Sequence, residues 1–333
     1  MTALLEATDI SAVYASADGR DVQAVSSVTL ELLEGEVLGI AGESGCGKST
    51  FAALIALTAR PPLVATGGRL RIADEHIDLR HLESVPRDLR GKLVALLPQG
   101  AMNALNPTLR VRDLAYHVIR AHEEGITRRE ATERARERLE QLSLPVRALD
   151  SYPHQLSGGM RQRVVAVIST LLNPQVLIAD EPTSALDVSA QRSLVDLLRE
   201  LLDRGFIQAV AFITHDLPLL NTVADRIVIM YAGQVAEVGA GRDVVDRPRH
   251  PYTKALMETV LVPEPQVRKR RVEGIQGSPP DLRFPPAGCR FHPRCKYAMD
   301  VCQREEPPIV GDLSRYAACW WVQQQSEEPV HAE

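Results

Sequence analysis

The stretch Gly42-Glu43-Ser44-Gly45-Cys46-Gly47-Lys48-Ser49 has the spacing G-x-x-x-x-G-K-[ST] of a phosphate-binding loop. Its glycines let backbone N–H groups turn inward around phosphate oxygens. Lys48 would then reach the β- and γ-phosphates of a nucleoside triphosphate, and the Ser49 hydroxyl would ligate Mg²⁺. A second stretch, Val176-Leu177-Ile178-Ala179-Asp180-Glu181, is an apolar run ending in two carboxylates. Such a pair suits an Asp180 that directs Mg²⁺ and a Glu181 that polarises the attacking water.

The elements that must hold these groups are legible around them. Residues 36–41 read as a short buried strand entering the loop. Residues 50–57, beginning at Thr50, read as the helix whose N-terminus faces the anion. Residues 93–97, 176–179 and 210–214 have the unbroken apolar character of strands in a parallel sheet. Residues 1–98 combine short β-rich segments, such as 24–30, with the phosphate-loop unit; about 100–160 is helical in pattern, and 161–240 alternates strand and helix. Within the helical part, 127–142 is dense in Arg and Glu, with Ala131, Ala135, Leu139 and Leu142 as its few apolar positions. It reads as a largely solvated helix.

Between the two phosphate-directed stretches, Leu156-Ser157-Gly158-Gly159-Met160-Arg161-Gln162-Arg163 resembles the signature motif of the ABC transporter ATPases. Ser157, Gly158 and Gly159 would offer a hydroxyl and backbone N–H groups at a helix start, a second phosphate-binding device. The rest of that family's set follows in order. Gln99 stands at the Q-loop, Ser184 to Asp187 at the D-loop, His215 at the switch position, and Tyr14 where a ring would stack on adenine. The resemblance implies an α/β P-loop NTPase with an N-terminal antiparallel β part and a helical subdomain. It implies ATP held by Tyr14, Gly42, Ser44, Gly45, Cys46, Gly47, Lys48, Ser49, Thr50 and Gln99. Mg²⁺ would sit at Ser49, Gln99 and Asp180, with Glu181 and His215 catalytic. It also implies that Ser157, Gly158 and Gly159 face the nucleotide of a second ATPase subunit, since one chain carries one loop and one signature.

After about residue 240 proline becomes frequent, which disfavours long regular elements; a short helix at 251–260 is the main exception. His250-Pro251-Tyr252-Thr253, Ile275 to Pro280, and Gly288-Cys289-Arg290-Phe291-His292-Pro293-Arg294-Cys295 resemble the C-terminal extension of the oligopeptide/dipeptide importer ATPases, as does Gln99 to Pro107. The division expected is an ATPase domain at 1–240 and a small Cys-rich domain at 241–333, with the ATPase core built from residues before 240. The resemblance implies a partner ATPase, a heterodimer before a homodimer, together with two transmembrane permeases and an extracytoplasmic binding protein. Nickel and oligosaccharide importers share the tail and stay open as alternatives. Soluble ABC ATPases of DNA repair or translation would carry a long coiled-coil insertion or tandem ATPase units.

Four of the five cysteines, Cys289, Cys295, Cys302 and Cys319, lie in the tail with spacing C-x₅-C-x₆-C-x₁₆-C. An ATP site belongs in a reducing cytosol, which argues against disulfides. Four thiolates in a Pro-rich segment suggest a metal that holds a small domain together, either Zn²⁺ or a [4Fe–4S] cluster. None of the gaps has the close C-x₂₋₄-C pairing usual for zinc, and the family resemblance also points to the cluster. Cys46, beside Lys48 and a helix N-terminus, reads either as a reactive thiol or as a small residue filling the loop. Arg268 to Arg271 reads as a solvated linker before a lipid contact, and Trp320 and Trp321 as caps on the tail's core.

Composition excludes other classes. A chain of 333 residues with 45 % hydrophobic and 24 % charged residues is an ordinary globular protein. A net charge of −5 supplies no electrostatic footprint for nucleic acid. No apolar run reaches the roughly 18 residues of a membrane span, and the first residues lack the pattern of a signal peptide. The expected location is the cytoplasmic face of the cell membrane, reached through partners.

Overall fold

The computed structural model describes residues 2–100, 105–184, 186–259 and 274–327. The masked positions take in part of the stretch after Gln99, Ala185 of the D-loop, the end of the 251–260 helix and the basic run at Arg268 to Arg271, which therefore lie outside the described residues.

Strands β1 (Ala3–Tyr14), β2 (Val22–Leu33), β4 (Leu63–Ile72) and β5 (Glu75–Asp78) form an antiparallel sheet in the order β2-β1-β4-β5. The larger sheet runs β11-β12-β10-β9-β3-β8-β7-β6. In it β3 (Val37–Ala41), β6 (Val94–Leu97), β7 (Val176–Asp180), β8 (Ala209–Ile213) and β9 (Arg226–Tyr231) are parallel, and β10 (Gln234–Ala240) turns back antiparallel. Every residue of β3, β7 and β8 is buried, which is why these strands are unbroken apolar runs rather than alternating ones.

Helix α1 (Lys48–Ile55) fills the space between the sheets. Its Phe51, Leu54 and Ile55 join Ile10, Leu32 and Leu70 of the small sheet and Ile178 and Ala211 of the large one in one core. The other face of the large sheet is covered through α5 (Gly158–Ser169) and α6 (Val188–Asp203), with α3 (Val111–Arg120) and α4 (Arg128–Gln141) beyond them; a short turn, α2 (Leu89–Lys92), leads into β6. Helix α4 starts with a capping box between Thr127 and Glu130. One of its charges is not at the surface. Arg138 is buried over the Phe206 ring, 3.7 Å from its centroid, and donates to Thr170 O and Asn173 Oδ1. Burial lowers its pKa to about 10. A one-dimensional pattern counts such an arginine with the solvated ones.

The tail departs from expectation. After α7 (Leu217–Val223), α8 (Gly241–Asp246) and α9 (Pro251–Glu258), strands β11 (Ile309–Asp312) and β12 (Arg315–Ala318) pair as a hairpin and add to β10, with Glu237 opposite Ala317 and Val238 opposite Tyr316. They thus extend the main sheet, and Tyr252, Leu282 and Phe291 are buried in its core. The ATPase core is therefore not built only from residues before 240. The physical reason is edge pairing: β10 leaves a free edge that the hairpin satisfies. The chain ends in α10 (Trp320–Glu327), where Trp321 stacks on Tyr297 at 4.5 Å and takes Lys254 over its ring, beside Ala317, Cys319 and Val322.

Candidate nucleotide site

The phosphate loop joins β3 to α1, and its glycines answer to close backbone approach. A Cβ on Gly42, at φ 149°, would lie 2.1 Å from the Met230 carbonyl oxygen; one on Gly47, at φ 104°, would lie 2.2 Å from that of Ala24. No side chain fits at either position. Lys48 Nζ donates to the carbonyls of Gly42 (2.7 Å) and Glu43 (2.9 Å), so the loop holds its own cation at its mouth. Ser49 Oγ donates to Asp180 Oδ1 at 3.0 Å, which brings the two expected Mg²⁺ ligands together although they lie 131 residues apart. Burial raises the Asp180 pKa first, Glu181 adds to that, and Ser49 and Lys48 oppose it. A divalent cation there would relieve the desolvation of the carboxylate.

Beyond Asp180 the chain turns sharply. Glu181 adopts φ 47°, a left-handed conformation costing a non-glycine residue about 1–2 kcal/mol, and its N–H donates to Ile213 O. This aims its carboxylate, 10 % exposed, at His215 Nδ1, which lies 2.9 and 3.0 Å from the two oxygens; the His215 ring is 72 % exposed. Glu181 with His215 and Asp180 with Ser49 thus stand side by side at the carboxyl ends of β7 and β8, where open α/β sheets bind their ligands. Tyr14, at the end of β1, is half-exposed, and its hydroxyl lies 3.1 Å from Thr50 Oγ1, so its ring is held beside the loop helix. Gln99 is exposed in the turn after β6, next to β7.

Ser157 is the N-cap of α5, its Oγ accepting from Met160 N at 3.3 Å. Ser157 and Gly158 are exposed, while a Cβ on Gly159 would meet that of Ala190 at 3.2 Å. Asp187 caps α6 through Ala190 N, and Val188 beside it is 81 % exposed. The signature therefore sits on the surface, outside the loop's own cradle.

Cys46 is 5 % exposed and its pKa is raised, because burial outweighs the pull of Lys48. That is a loop filler rather than an activated thiol. Among the described residues no group of three or more His, Cys, Asp or Glu is placed to hold a metal ion. A single zinc, about 2.3 Å from each sulfur, would need the tail thiols nearly in contact. The expectation of a metal at these thiols, Zn²⁺ or a cluster, is not supported by their placement among the described residues. The thiols nonetheless sense one another. Burial pushes Cys289 up to about 12 and Cys295 up to about 11, and Cys319 upward. Cys289 is raised further by Cys319, Cys302 and Cys295, Cys295 by Cys319 and Cys302, and Cys319 by Cys302. Backbone N–H groups of Phe291, Tyr297, Val322 and Trp321 point at three of the sulfurs.

The chain matches the family model "ABC transporter" over residues 25–184 and "Oligopeptide/dipeptide transporter, C-terminal region" over 236–302. It is 38 % identical to the dipeptide transport ATP-binding protein DppD of Caldanaerobacter subterraneus, covering 96 % of this chain and 97 % of that one. It is also 38 % identical to the oligopeptide transport ATP-binding protein OppD of Salmonella typhimurium, covering 95 % and 93 %. This chain belongs to the ABC transporter ATPases. A solved relative is the dimeric ATP-binding cassette MJ0796 in a post-hydrolysis state with ADP and Pi, at TM-score 0.60 and 26 % identity over 72 % of this chain and 99 % of that one.

Sequence reasoning about this ABC ATPase missed contacts that cross from the tail to the phosphate loop. Arg294 grips the Glu43 carboxylate at 2.7 and 3.0 Å, and the Glu43 N–H donates to Tyr252 Oη at 2.8 Å. Arg290 donates to Ala232 O in the β9–β10 turn and to Ser26 Oγ on β2. Both arginines belong to the Cys289–Cys295 stretch already singled out, yet no local pattern reveals a partner so far away in sequence.

Proposed function

We propose that the chain is the ATP-hydrolysing subunit of a membrane importer for di- and oligopeptides. It pairs with a second, different ATPase and lies peripherally under two permeases supplied by an extracytoplasmic binding protein. The observation that carries this is the joined pair Ser49–Asp180 and Glu181–His215 beside the loop, in a chain whose tail has the peptide-importer extension. ATP would lie along Gly42, Ser44, Gly45, Cys46, Gly47, Lys48, Ser49 and Thr50, with Tyr14 at its base. Mg²⁺ would be held by Ser49 and Asp180, with Gln99 reaching in from its turn. Glu181 accepts the proton of the attacking water, and His215, held on that carboxylate, presents its other ring nitrogen toward the γ-phosphate.

One subunit lines only one side of the phosphates. The exposed Ser157 and Gly158, with Gly159 next to them and Val188 alongside, suit a head-to-tail partner that receives its nucleotide between the two chains. Binding energy then closes the dimer and hydrolysis reopens it. Residues 1–240 carry the ATP chemistry, with 100–160 as the helical part facing the permeases, and 241–333 carry the importer-type extension.

In that extension Cys289, Cys295, Cys302 and Cys319 would hold a [4Fe–4S] cluster. Four tail thiols, Cys302 and Cys319 buried and Cys289 and Cys295 partly so, with N–H groups directed at three of the sulfurs, suit a group that spreads negative charge over several sulfur atoms. When bound it would cross-link four separate turns of the tail. Anaerobically purified chain should contain about four irons; stoichiometric zinc without iron would overturn the cluster. The transport reading is tested with the assembled transporter in vesicles. Di- or tripeptides with the binding protein should stimulate ATP hydrolysis, and stimulation by nickel or an oligosaccharide alone would overturn the peptide assignment.

A further inference from the structure

Three handles of one residue, Glu43, tie the tail to the nucleotide site. Its carbonyl accepts from Lys48 Nζ at 2.9 Å, its N–H donates to Tyr252 Oη at 2.8 Å, and its carboxylate takes both Arg294 Nη atoms. Arg294 is 6 % exposed in its side chain and Tyr252 is fully buried. Both are themselves anchored. Arg294 Nε donates to Gln276 O at 2.9 Å, and its Nη1 lies 3.2 Å from Tyr231 Oη. Tyr252 packs on Tyr231 and Phe291, with ring centroids 4.6 and 5.3 Å away. Glu43 thus cannot shift without breaking buried, charge-assisted contacts, and the carbonyl that fixes Lys48 moves with it.

We propose that Arg294 and Tyr252 are positioning residues for ATP. Through Glu43 they hold the phosphate loop and Lys48 in the shape that receives the phosphates, so that the Cys289–Cys295 segment sets nucleotide affinity. The loop's own glycines cannot do this alone. The freedom that lets them turn N–H groups inward also lets the loop relax when its outer side is unbraced. The proposal rests on the reading of Gly42 to Ser49 as the ATP loop but needs no metal in the tail.

The experiment measures binding of a fluorescent ATP analogue to the full chain and KM and kcat for ATP in the assembled transporter. Arg294→Gln should raise the dissociation constant and KM about ten-fold, the scale of one charge-assisted bond, with kcat at saturating ATP within about two-fold. Arg294→Lys, which keeps the charge but not the two-point grip, should recover part of the loss. Glu43→Gln should resemble Arg294→Gln, and the double variant should be no worse than either single one, since both remove one contact. Tyr252→Phe, which deletes one acceptor without altering the packing, should cost about three-fold in affinity; it decides the matter if Arg294→Gln fails to fold. Unchanged affinity in folded Arg294→Gln or Tyr252→Phe, or additive losses in the double variant, would overturn the proposal. Lys48→Ala serves as the control: if it too binds normally, the loop reading fails rather than the brace.

Discussion

The loop face and the signature face are built from the same materials, glycines and a hydroxyl at a helix start, but they stand in opposite conditions. Around Gly42 to Ser49 the chain supplies everything: backbone carbonyls that exclude side chains, the Asp180 partner, and a buried brace from the tail. Around Ser157 to Gly159 it supplies a capped helix end and an exposed surface. The first is preorganised for a phosphate. The second presents a capped helix start to the surface. On the proposed head-to-tail pairing, affinity for ATP is a property of one chain, whereas turnover belongs to a pair.

The largest effect that can sharpen this contrast is at Glu181. Glu181→Gln keeps the shape and its N–H bond to Ile213 O but removes the base, so turnover should fall on the order of 10³-fold while ATP analogue binding stays near normal. Near-normal hydrolysis by the assembled transporter would contradict the role given to Glu181.

Next is the brace behind the loop face. His250 caps α9 through Nδ1, which accepts from Tyr252 N at 3.0 Å, and burial pushes its pKa from the ordinary 6.5 down to about 4. Between those values the unfolded chain takes up a proton that the folded one refuses. Stability should therefore fall as pH drops from about 6.5 toward 4, by about 3 kcal/mol in total from this group. Glu237, whose buried carboxyl has a raised pKa, works in the opposite direction. The check is thus the difference between the parent chain and His250→Asn, which retains a capping oxygen. Denaturant unfolding across that range should show a shallower pH dependence for the variant; identical slopes would remove His250 from the account.

Lys48→Ala should weaken ATP binding to the single chain about 30-fold, the loss of a charged contact to phosphate, as read by analogue titration. Smallest is the change at the other face. Ser157→Ala should leave single-chain binding within a factor of two but lower turnover of the assembled transporter about ten-fold. A loss of single-chain affinity there would erase the distinction between the faces.

Much of this site was legible because phosphate loops are local objects. Eight consecutive residues specify the cradle, and an apolar strand ending in Asp180 and Glu181 announces its own acid pair. The helix after the loop, the strand before it and the capped helix at 127–142 followed from periodicity, with ends differing by a residue or two. Arg138 escaped because a charged residue on a charged helix looks solvated until its neighbours are known. Cys46 could be read two ways until burial chose.

By itself the sequence supplied the proposed chemistry, namely which groups would face phosphate and which carboxylate would polarise water, and it carried the importer-type tail. Only the tertiary structure decided what the tail does to the rest. The β11–β12 hairpin joins the main sheet at β10, and Arg294 and Tyr252 reach Glu43. The physical reason is that a local motif is specified by backbone geometry over a few residues. The partner of a buried charge 251 residues away is selected by the closing of the core around both, and no spacing rule along the chain encodes that.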